Sequence, residues 1–413
     1  MKKVCLLNLG CRVNQYEIDG IINSLKDEYE TTTNLEVADI YIVNTCAVTK
    51  EAEKKSRQIL SKIEKVNPKG KIYVMGCASQ NNPKQFLEKK QVESVIGTYG
   101  KGKIKHNFDK AGNHVCSIPL EYEDDLVATN VRTRGYIKIQ DGCNNYCSYC
   151  LIPFVRGRSR SRNVESIVNE AMLLSRTCRE IVLTGINISD FKIDGKLALA
   201  DLMDKLRDVP SRLRISSLEV SVVDEKLLTV LKSMDNFCDS FHLCLQSGSD
   251  KVLCDMNRHY NTKDYMSKVN LIRKYFPKAN ITTDLIVGYP TETDREFENT
   301  LNFLKMVKFG NIHYFAFSSR EGTRAGTLPQ LNGSIIKARE ERLREIVNEM
   351  HVDYVSQFIG MPLEVLIEEK KDGKFVGFSK NYIKCIVDGD VEIGSIVRVM
   401  PIAMFEDKLV CKF

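Results

Sequence analysis

The feature that most constrains the fold of this 413-residue chain is a repeated alternation of short apolar segments with segments of helical periodicity. Between residues 3 and 97 the apolar runs VCLLNLG, DIYIVNTC and KIYVMGC are separated by helix-period segments at residues 17–29 and 52–66. Strands that alternate with helices form a parallel sheet, because each crossover helix returns the chain to the same edge. The alternation therefore predicts a small doubly wound α/β domain over residues 1–115.

A second series of alternations begins at Gly135 and contains six strand-like segments. They are GYIKIQDG, REIVLTGI, RLRISSLEV, SFHLCLQSG, ANITTDLIVGYP and NIHYFAFSS. Six strand–helix repeats predict a partial (β/α)6 barrel, which we place at residues 129–350. A charged segment with a narrow apolar face at residues 335–358 predicts one long helix that closes this domain.

The pattern changes after Pro362 to short alternating segments that are punctuated by glycines. Such a pattern is typical of a small all-β domain, and we expect a five-stranded barrel over residues 352–413. The predicted fold class is therefore α/β for the first two parts, followed by a small β barrel.

Composition limits the kind of protein. Hydrophobic residues make up 43% of the chain and charged residues 28%, which is typical of a folded protein. The sequence has no apolar run of about 18 residues and no signal-like apolar segment near its start, so we expect no membrane span and a cytoplasmic location. A net charge of +6 is too modest to indicate nucleic-acid binding by itself. The 14 cysteines are better explained in that compartment by metal binding or catalysis than by disulfides.

Three cysteines lie close together in the segment QDGCNNYCSYC, directly after a predicted strand: Cys143, Cys147 and Cys150. Three thiolates supply three of the four irons of a 4Fe–4S cluster with a protein ligand and leave one iron open to bind something else. The alternatives are a structural zinc site that lacks its fourth ligand, or cysteines that only fill space. No second CxxC pair or nearby histidine completes a zinc site here, which favours the cluster.

A second set of cysteines is spread through the first domain, where Cys11, Cys46 and Cys77 each follow an apolar strand. The carboxyl ends of parallel strands share one edge of a sheet, which is the edge where such folds bind ligands. We therefore predict a second 4Fe–4S cluster with an open iron, facing the barrel across a crevice between the domains. The alternative is three buried free cysteines, as we expect for the remaining eight.

The spacing Cx3Cx2C with an aromatic residue, Tyr149, before the last cysteine resembles the radical S-adenosylmethionine superfamily. The resemblance implies a six-stranded partial barrel in which S-adenosylmethionine binds the open iron and is cleaved to a 5′-deoxyadenosyl radical. It also makes the aromatic residue of the motif, a strand-end glycine that allows close backbone approach and four strand-end polar residues candidates for cofactor or substrate contacts, with ordinary turn residues as the alternative for the polar ones. The candidates are Tyr149, Gly185, Glu219, Gln246, Ser247 and Asp284.

Two cysteine triplets followed by a terminal barrel resemble the methylthiotransferases of that superfamily. Matching segments include LGCRVNQYE, NTCAVT, MGCASQ, GCNNYCSYC, LQSGSD and DLIVGYPTET, and LGCRVNQYE is similar to the group that acts on N6-threonylcarbamoyladenosine in tRNA. Cys244 and Cys254 depart from the common pattern. The resemblance implies addition of a methylthio group to C2 of that nucleoside at position 37, with tRNA, a sulfur donor and an electron donor such as flavodoxin or ferredoxin as partners. Isopentenyladenosine and a ribosomal protein remain alternative substrates.

Two surfaces are candidates for RNA binding. The C-terminal segment resembles the TRAM fold and presents interleaved basic and aromatic residues, which bind unpaired bases and phosphates in similar barrels; the alternative is a plain solvated face. The basic run beside the first triplet is expected to bind phosphates or the cofactor carboxylate, with surface charge as the alternative. The candidates are Lys374, Phe378, Lys380 and Tyr382 in the barrel and Arg156 and Arg158 in the run. A non-catalytic RNA-binding protein with structural zinc is the remaining functional alternative.

Overall fold

The N-terminal part of the chain forms a six-stranded parallel sheet, as the alternation predicts. The structure is a computed structural model that describes residues 1–129 and 133–413. The strands are β1 (Lys2–Asn8), β2 (Tyr29–Thr32), β3 (Ile40–Thr45), β4 (Lys71–Gly76), β5 (Val92–Val95) and β6 (Gly112–Asn113). The helices are α1 (Arg12–Leu25), α2 (Lys50–Val66), α3 (Cys77–Asn81) and α4 (Lys84–Leu87). The strand order is β2-β1-β3-β4-β5-β6.

Both faces of this sheet are covered by helices. Successive strand side chains point to opposite faces, so Val4 and Leu6 of β1 pack in a different cluster from Cys5 and Leu7. The first pair packs with the buried residues of α1, and the second pair packs in the cluster that contains the buried residues of α2. The predicted doubly wound arrangement is therefore present. Helix α1 begins earlier than the periodicity suggests, because Cys11 is its N-cap.

The central part of the chain contains the second series of strands and helices. The strands are β7 (Arg134–Asp141), β8 (Arg160–Ser161), β9 (Glu180–Gly185), β10 (Lys192–Ile193), β11 (Lys196–Leu197), β12 (Arg212–Ile215), β13 (Ser240–His242), β14 (Asn280–Val287) and β15 (Asn311–Ala316). The helices are α5 (Ile152–Arg156), α6 (Val164–Leu174), α7 (Leu199–Lys205), α8 (Glu225–Lys232), α9 (Asp250–Asp255), α10 (Thr262–Tyr275), α11 (Asp294–Val307) and α12 (Gly333–Ser356).

Six of these strands form an incomplete parallel barrel. Strand β9 lies between β7 and β12, β14 lies between β13 and β15, and parallel bridges at Leu213–Phe237 and Leu218–Leu243 join the two groups. The order around the barrel is thus β7-β9-β12-β13-β14-β15, with no pairing between β15 and β7 within the described residues. This is the predicted partial (β/α)6 architecture, and the opening lies beside the N-terminal domain, where α1 contacts β7 and β9.

The C-terminal part forms the predicted five-stranded barrel. Its strands are β16 (Leu363–Lys371), β17 (Lys374–Ser379), β18 (Lys384–Val387), β19 (Ile396–Phe405) and β20 (Lys408–Lys412). They close in the order β16-β17-β18-β20-β19 around a small apolar core. Helix α12 contacts both this barrel and β15.

The predicted domain limits remain predictions. The range 129–350 includes residues 130–132, which lie outside the described part of the chain. The limit between residues 350 and 352 falls inside α12 (Gly333–Ser356), which continues without a break across it. In the described ranges, no helix combines the length and apolar character that crossing a membrane requires.

Candidate active site

The first cysteine triplet lies on the loop that follows β7, at the carboxyl end of the barrel strands. The loop begins at Gly142, whose φ is +74°, and an added Cβ there would lie 2.0 Å from the carbonyl oxygen of Arg158. The amide of Ser148 donates to the carbonyl oxygen of Met256 at 3.0 Å, and that of Cys150 to Cys147 at 3.0 Å. Backbone hydrogen bonds therefore hold the three free, half-buried thiols on one short loop.

Each sulfur of this triplet receives an N–H group. The amide of Asn145 donates to Cys143 Sγ at 3.5 Å, and the amide of Ile152 donates to Cys150 Sγ at 3.4 Å. Arg258 donates from Nη1 to Cys147 Sγ at 3.2 Å. Hydrogen bonds to sulfur tune the potential of iron–sulfur clusters, so the environment fits cluster thiolates.

The arginine at this site is held by a carboxylate. Arg258 forms an ion pair with Glu219, and Asn145 Nδ2 donates to the other oxygen of Glu219 at 3.2 Å. Burial raises the pKa of Cys143 to about 11 and that of Cys150 to about 12. These thiols therefore ionise at neutral pH only when a metal replaces the proton.

The second triplet is assembled from three adjacent strands of the N-terminal sheet. Cys11, Cys46 and Cys77 directly follow or closely follow β1, β3 and β4. The strands are paired in register up to their carboxyl ends, with Asn8 opposite Asn44 and Thr45 opposite Gly76. The cysteines therefore lie at one edge of the sheet, as the sequence predicts. Cys46 and Cys77 are buried, whereas Cys11 is exposed.

Neither triplet is arranged around a single ion. Across residues 1–129 and 133–413, no group of three or more histidine, cysteine, aspartate or glutamate side chains is placed to hold one metal ion. The cysteines of a cubane cluster each bind a different iron, so they stand further apart than the ligands of one zinc ion.

Arg156 corrects a prediction from the sequence. We expected it to bind phosphates or the cofactor carboxylate, but its side chain is fully buried, with 0% exposure. It donates from Nε to Cys77 Sγ at 3.2 Å and forms ion pairs with Glu17 at 2.9 Å and Asp141 at 3.2 Å. Helix α5 carries it from the first cysteine loop into the N-terminal domain, so tRNA has no access to it. Arg158, in contrast, is exposed.

A cavity of about 510 Å³ lies where the three parts of the chain meet. The N-terminal domain contributes Cys11 and Arg12, the barrel contributes Gly185 and Asp284, and the C-terminal domain contributes Lys384. Gly185 ends β9 opposite Gln140 of β7, three residues before Cys143. The cavity therefore extends from the second triplet to the strand ends that carry the first.

The remaining cofactor candidates lie elsewhere. Glu219 lines a separate crevice of about 620 Å³ together with Arg258 and Asn145. Gln246 has a φ of +69° and uses its backbone to pair with Asp284 and Ile286.

Of the other two candidates, Tyr149 is half-buried and Ser247 is buried. Tyr149 packs against the buried cluster that contains Met256 and Tyr289. Ser247 is 1% exposed, lies within hydrogen-bonding distance of Thr300 and accepts from the amide of Ser249 at 3.2 Å. Neither Gln246, Ser247 nor Tyr149 is in the wall of the two cavities described above. Their assignment to the cofactor stays a prediction, and the hydroxyl of Ser247 is used in internal hydrogen bonds.

The aromatic residues of the terminal barrel also require a correction. The rings of Phe378 and Tyr382 stack on each other at 4.6 Å, and the guanidinium of Arg214 lies 4.2 Å from the Tyr382 ring centroid. Lys380 donates from Nζ to the carbonyl oxygen of Asp235 at 2.6 Å. These contacts join the terminal barrel to the central one. Phe378 and Tyr382 also line the cavity described above, so they face that cavity and not an outer surface. Lys374 remains exposed.

Several residues of the site were not identified from the sequence: Asn14, Glu17, Lys101, Lys138, Asp141 and Arg258. One signal was present, because Asn14 and Glu17 follow the N-cap Cys11 at helical spacing on the buried face of α1. The contributions of Lys101 and Lys138 depend on tertiary contacts that no local pattern reports.

Comparisons with known proteins agree with this geometry. Residues 137–304 match the family model described as Radical SAM superfamily, and residues 3–97 match the one described as Uncharacterized protein family UPF0004. The Threonylcarbamoyladenosine tRNA methylthiotransferase MtaB of Bacillus subtilis (strain 168) is 35% identical over 97% of this chain and 93% of its own length. This chain belongs to the radical SAM methylthiotransferase family. The tRNA-2-methylthio-N(6)-dimethylallyladenosine synthase of Desulfitobacterium hafniense (strain Y51) is 33% identical over 97% of this chain and 94% of its own.

A solved structure shows the same fold in a distant methyltransferase. The radical S-adenosylmethionine methyltransferase TsrM of Kitasatospora setae superposes with a TM-score of 0.58 at 15% identity, over 79% of this chain and 74% of that one. Membership of the radical SAM methylthiotransferase family confirms the expected enzyme class, a transferase, and the expected cofactors, S-adenosylmethionine and 4Fe–4S clusters. Which cysteines hold each cluster is a separate question.

Proposed function

We propose that this protein adds a methylthio group to C2 of N6-threonylcarbamoyladenosine at position 37 of tRNA, giving the 2-methylthio nucleoside. The observation that carries the proposal is the cavity at the meeting point of the three domains, with Cys11 in its wall and Gly185 at its strand-end edge. A base that enters this cavity lies between the second triplet and the strand ends beside the first. The name of the Bacillus subtilis relative supports the same reaction.

In this proposal each of the two cysteine triplets holds one cluster. Cys143, Cys147 and Cys150 hold the cluster that binds S-adenosylmethionine, and Cys11, Cys46 and Cys77 hold the second cluster. When bound, the first cluster and its cofactor supply the 5′-deoxyadenosyl radical, and the second cluster supplies the iron site that carries the sulfur to be transferred. Arg258 donates to Cys147 and is oriented by Glu219. Gly185 and Asp284 are proposed to contact cofactor or substrate from the cavity wall.

The chemistry of the cavity favours the threonylcarbamoyl nucleoside over the dimethylallyl one. Its hydrocarbon side chains are few, and its polar ones include Arg12, His242, Asn280 and Lys384. Within the described residues, neither Arg12 nor Lys384 has an ion pair or a side-chain hydrogen bond. A threonylcarbamoyl group carries a carboxylate, a hydroxyl and a urea, which pair with such groups, whereas a dimethylallyl group leaves them unpaired at a cost.

The partners follow from the reaction. The exposed cations Arg158 and Lys374 are proposed to contact tRNA phosphates, which bind lysine and arginine by charge. The reaction also requires an electron donor, such as flavodoxin or ferredoxin, and a sulfur donor. A cytoplasmic location, where tRNA is modified, is part of the proposal.

Nucleoside analysis tests the proposal directly. Transfer RNA from a strain that lacks the gene is digested and compared by mass spectrometry with RNA from the parent strain and from a strain complemented by the Cys11→Ala variant. We expect the 2-methylthio derivative of threonylcarbamoyladenosine only in the parent, with unmodified threonylcarbamoyladenosine accumulating in the other two.

The same measurement separates the alternatives. Loss of the 2-methylthio derivative of dimethylallyladenosine instead would assign the activity in the name of the Desulfitobacterium hafniense relative. Unchanged 2-methylthio nucleosides would exclude tRNA as substrate and leave a ribosomal protein. A colourless, zinc-loaded protein after anaerobic purification would exclude the enzyme altogether in favour of a structural zinc protein.

A further inference from the structure

We infer that Arg156 is a positioning residue for the second cluster: it brings a buried positive charge and one N–H donor from the first cysteine loop to Cys77, and thereby controls the retention and the potential of that cluster. This inference rests on the proposed assignment of Cys11, Cys46 and Cys77 as cluster ligands. It extends the proposal because a residue of the central domain sets the electrostatic environment of the cluster in the N-terminal domain.

The contacts of Arg156 use its whole guanidinium group. Nε donates to Cys77 Sγ at 3.2 Å, and Nη2 donates to Asn14 Oδ1 at 3.2 Å. Nη1 donates to Glu17 at 2.9 Å and lies 3.2 Å from Asp141. The planar guanidinium group, whose donors point in fixed directions, matches this set of acceptors, whereas a lysine ammonium would contact only some of them. Asn14 Oδ1 in turn lies 3.3 Å from Cys11 Sγ, which places a second cysteine of the triplet beside the same group.

The buried charges around Arg156 do not balance. Two carboxylates, Glu17 and Asp141, face three cations, because Lys101 pairs with Glu17 and Lys138 lies 3.2 Å from Asp141. Arg160 adds a further cation at 3.9 Å from Asp141. Glu123 interacts with both lysines, but burial raises the pKa of its carboxyl to about 7, so it carries only part of a negative charge near neutral pH. An excess of positive charge is therefore buried beside Cys77.

Excess buried charge is costly unless an opposite charge is nearby. A 4Fe–4S cluster held by three thiolates is anionic and provides that charge at Cys77. The reduced form of the cluster is more negative than the oxidised form, so a neighbouring cation stabilises the reduced form and raises the reduction potential. Removal of Arg156 is expected to lower the potential and to weaken the retention of iron.

The test uses the full-length protein, reconstituted anaerobically, with and without the substitution of Cys143, Cys147 and Cys150 by alanine. In the alanine background only the second cluster remains, so iron content and reductive titration report on it alone. We expect Arg156→Met to lose most of the iron in that background, and to fall from about eight to about four irons in the protein with all cysteines. Arg156→Lys is expected to keep the iron at a shifted potential.

A second variant tests the direction in which a nearby charge shifts the reduction potential of the second cluster. Glu17→Gln removes a buried negative charge and leaves Arg156 in place, so we expect retained iron and a potential shifted in the positive direction. If Arg156→Met fails to fold, this opposite shift together with Arg156→Lys decides the question. Potentials that are unchanged in both variants would overturn the inference.

Arg162 provides the matched control. It is a buried arginine of the same loop region and pairs with Glu170 and Asp124, with no cysteine contact among the described residues. Arg162→Met removes a comparable buried ion pair, and we expect no change in the potential of the second cluster. Equal loss of iron in both arginine variants would show general instability and overturn the specific role of Arg156. Unchanged iron after replacement of Cys11, Cys46 and Cys77 would instead refute the proposed cluster assignment.

Discussion

The two cysteine sites differ in how far apart their residues lie in the chain. The first triplet occupies one loop, from Cys143 to Cys150, and backbone hydrogen bonds of that loop already fix its shape. The second triplet joins Cys11, Cys46 and Cys77, which come together only because β1, β3 and β4 are neighbours in a parallel sheet. The first site depends on few contacts outside its loop, such as those of Met256 with Ser148 and of Arg258 with Cys147, whereas the second site depends on the whole domain that builds it.

Both sites contain an arginine–glutamate pair beside a cysteine, but the two pairs lie at different depths below the protein surface. Each has an arginine that donates to one cysteine and pairs with a glutamate: Arg258 at Cys147 and Arg156 at Cys77. Arg258 lies in the wall of an open crevice, while Arg156 is fully enclosed between two domains. The same pair of residue types therefore lines an accessible crevice in one case and a sealed interdomain junction in the other.

The largest expected effect separates the two triplets by their reactions. Replacement of Cys143, Cys147 and Cys150 by alanine should abolish both cofactor cleavage and methylthiolation. Replacement of Cys11, Cys46 and Cys77 should abolish methylthiolation while cleavage to 5′-deoxyadenosine continues, because the first loop does not depend on the sheet. Each variant should retain about four irons. Chromatographic assay of 5′-deoxyadenosine and of the modified nucleoside measures both; identical behaviour of the two variants would contradict the division of roles.

The second prediction compares the two arginines. Arg258→Met should slow cofactor cleavage about tenfold to a hundredfold, because a hydrogen bond to a charged group contributes about 1.5–3 kcal/mol. The iron of the second cluster should stay in place. Arg258→Lys, which keeps the charge, serves as the control and should recover part of the rate. Normal cleavage in Arg258→Met would show that Glu219 and Arg258 do not act at the first site.

The third prediction compares an asparagine from each site. Asn44 is fully buried and bonds to Asn14 and Glu17, so Asn44→Ala should lower the free energy of unfolding by about 1–3 kcal/mol. Among the described residues, the side chain of Asn145 bonds only to Glu219, in the wall of an open crevice, while its backbone amide donates to Cys143 and its carbonyl oxygen accepts from Asn257. Asn145→Ala should therefore cost less than about 1 kcal/mol. Urea unfolding of the metal-free proteins, followed by circular dichroism, provides both values. A larger loss of unfolding free energy in Asn145→Ala than in Asn44→Ala would contradict the expectation that the assembled site depends more on its buried contacts than the local site does.

The smallest expected effect concerns the cavity between the sites. Arg12→Gln should lower kcat/KM about tenfold for tRNA with threonylcarbamoyladenosine, because the carboxylate loses one charged partner, with no decrease for tRNA with dimethylallyladenosine. Iron content should not change. Arg158→Gln is the matched control, and it should weaken the binding of both tRNAs alike. An equal decrease for both substrates in Arg12→Gln would assign Arg12 to a phosphate contact instead.

Much of the architecture was predictable because it depends on local pattern. Strand–helix alternation predicted both α/β parts, and short glycine-punctuated segments predicted the five-stranded barrel. The errors have a common physical origin. Arg156 and Tyr382 are residue types that usually bind RNA at surfaces, but here each is used in an interdomain contact. A sequence reports residue type and spacing, not which surface is covered by another domain.

Both triplets could be predicted from the chain alone, because one is a matter of spacing within a loop and the other of cysteines that follow parallel strands. The residues that surround the triplets could be identified only from the folded protein. The pairing of Arg156 with Glu17 and Asp141, and the cavity that brings Cys11 to Lys384, join residues from different domains. Such contacts arise from the packing of whole domains, so no periodicity along the chain records them.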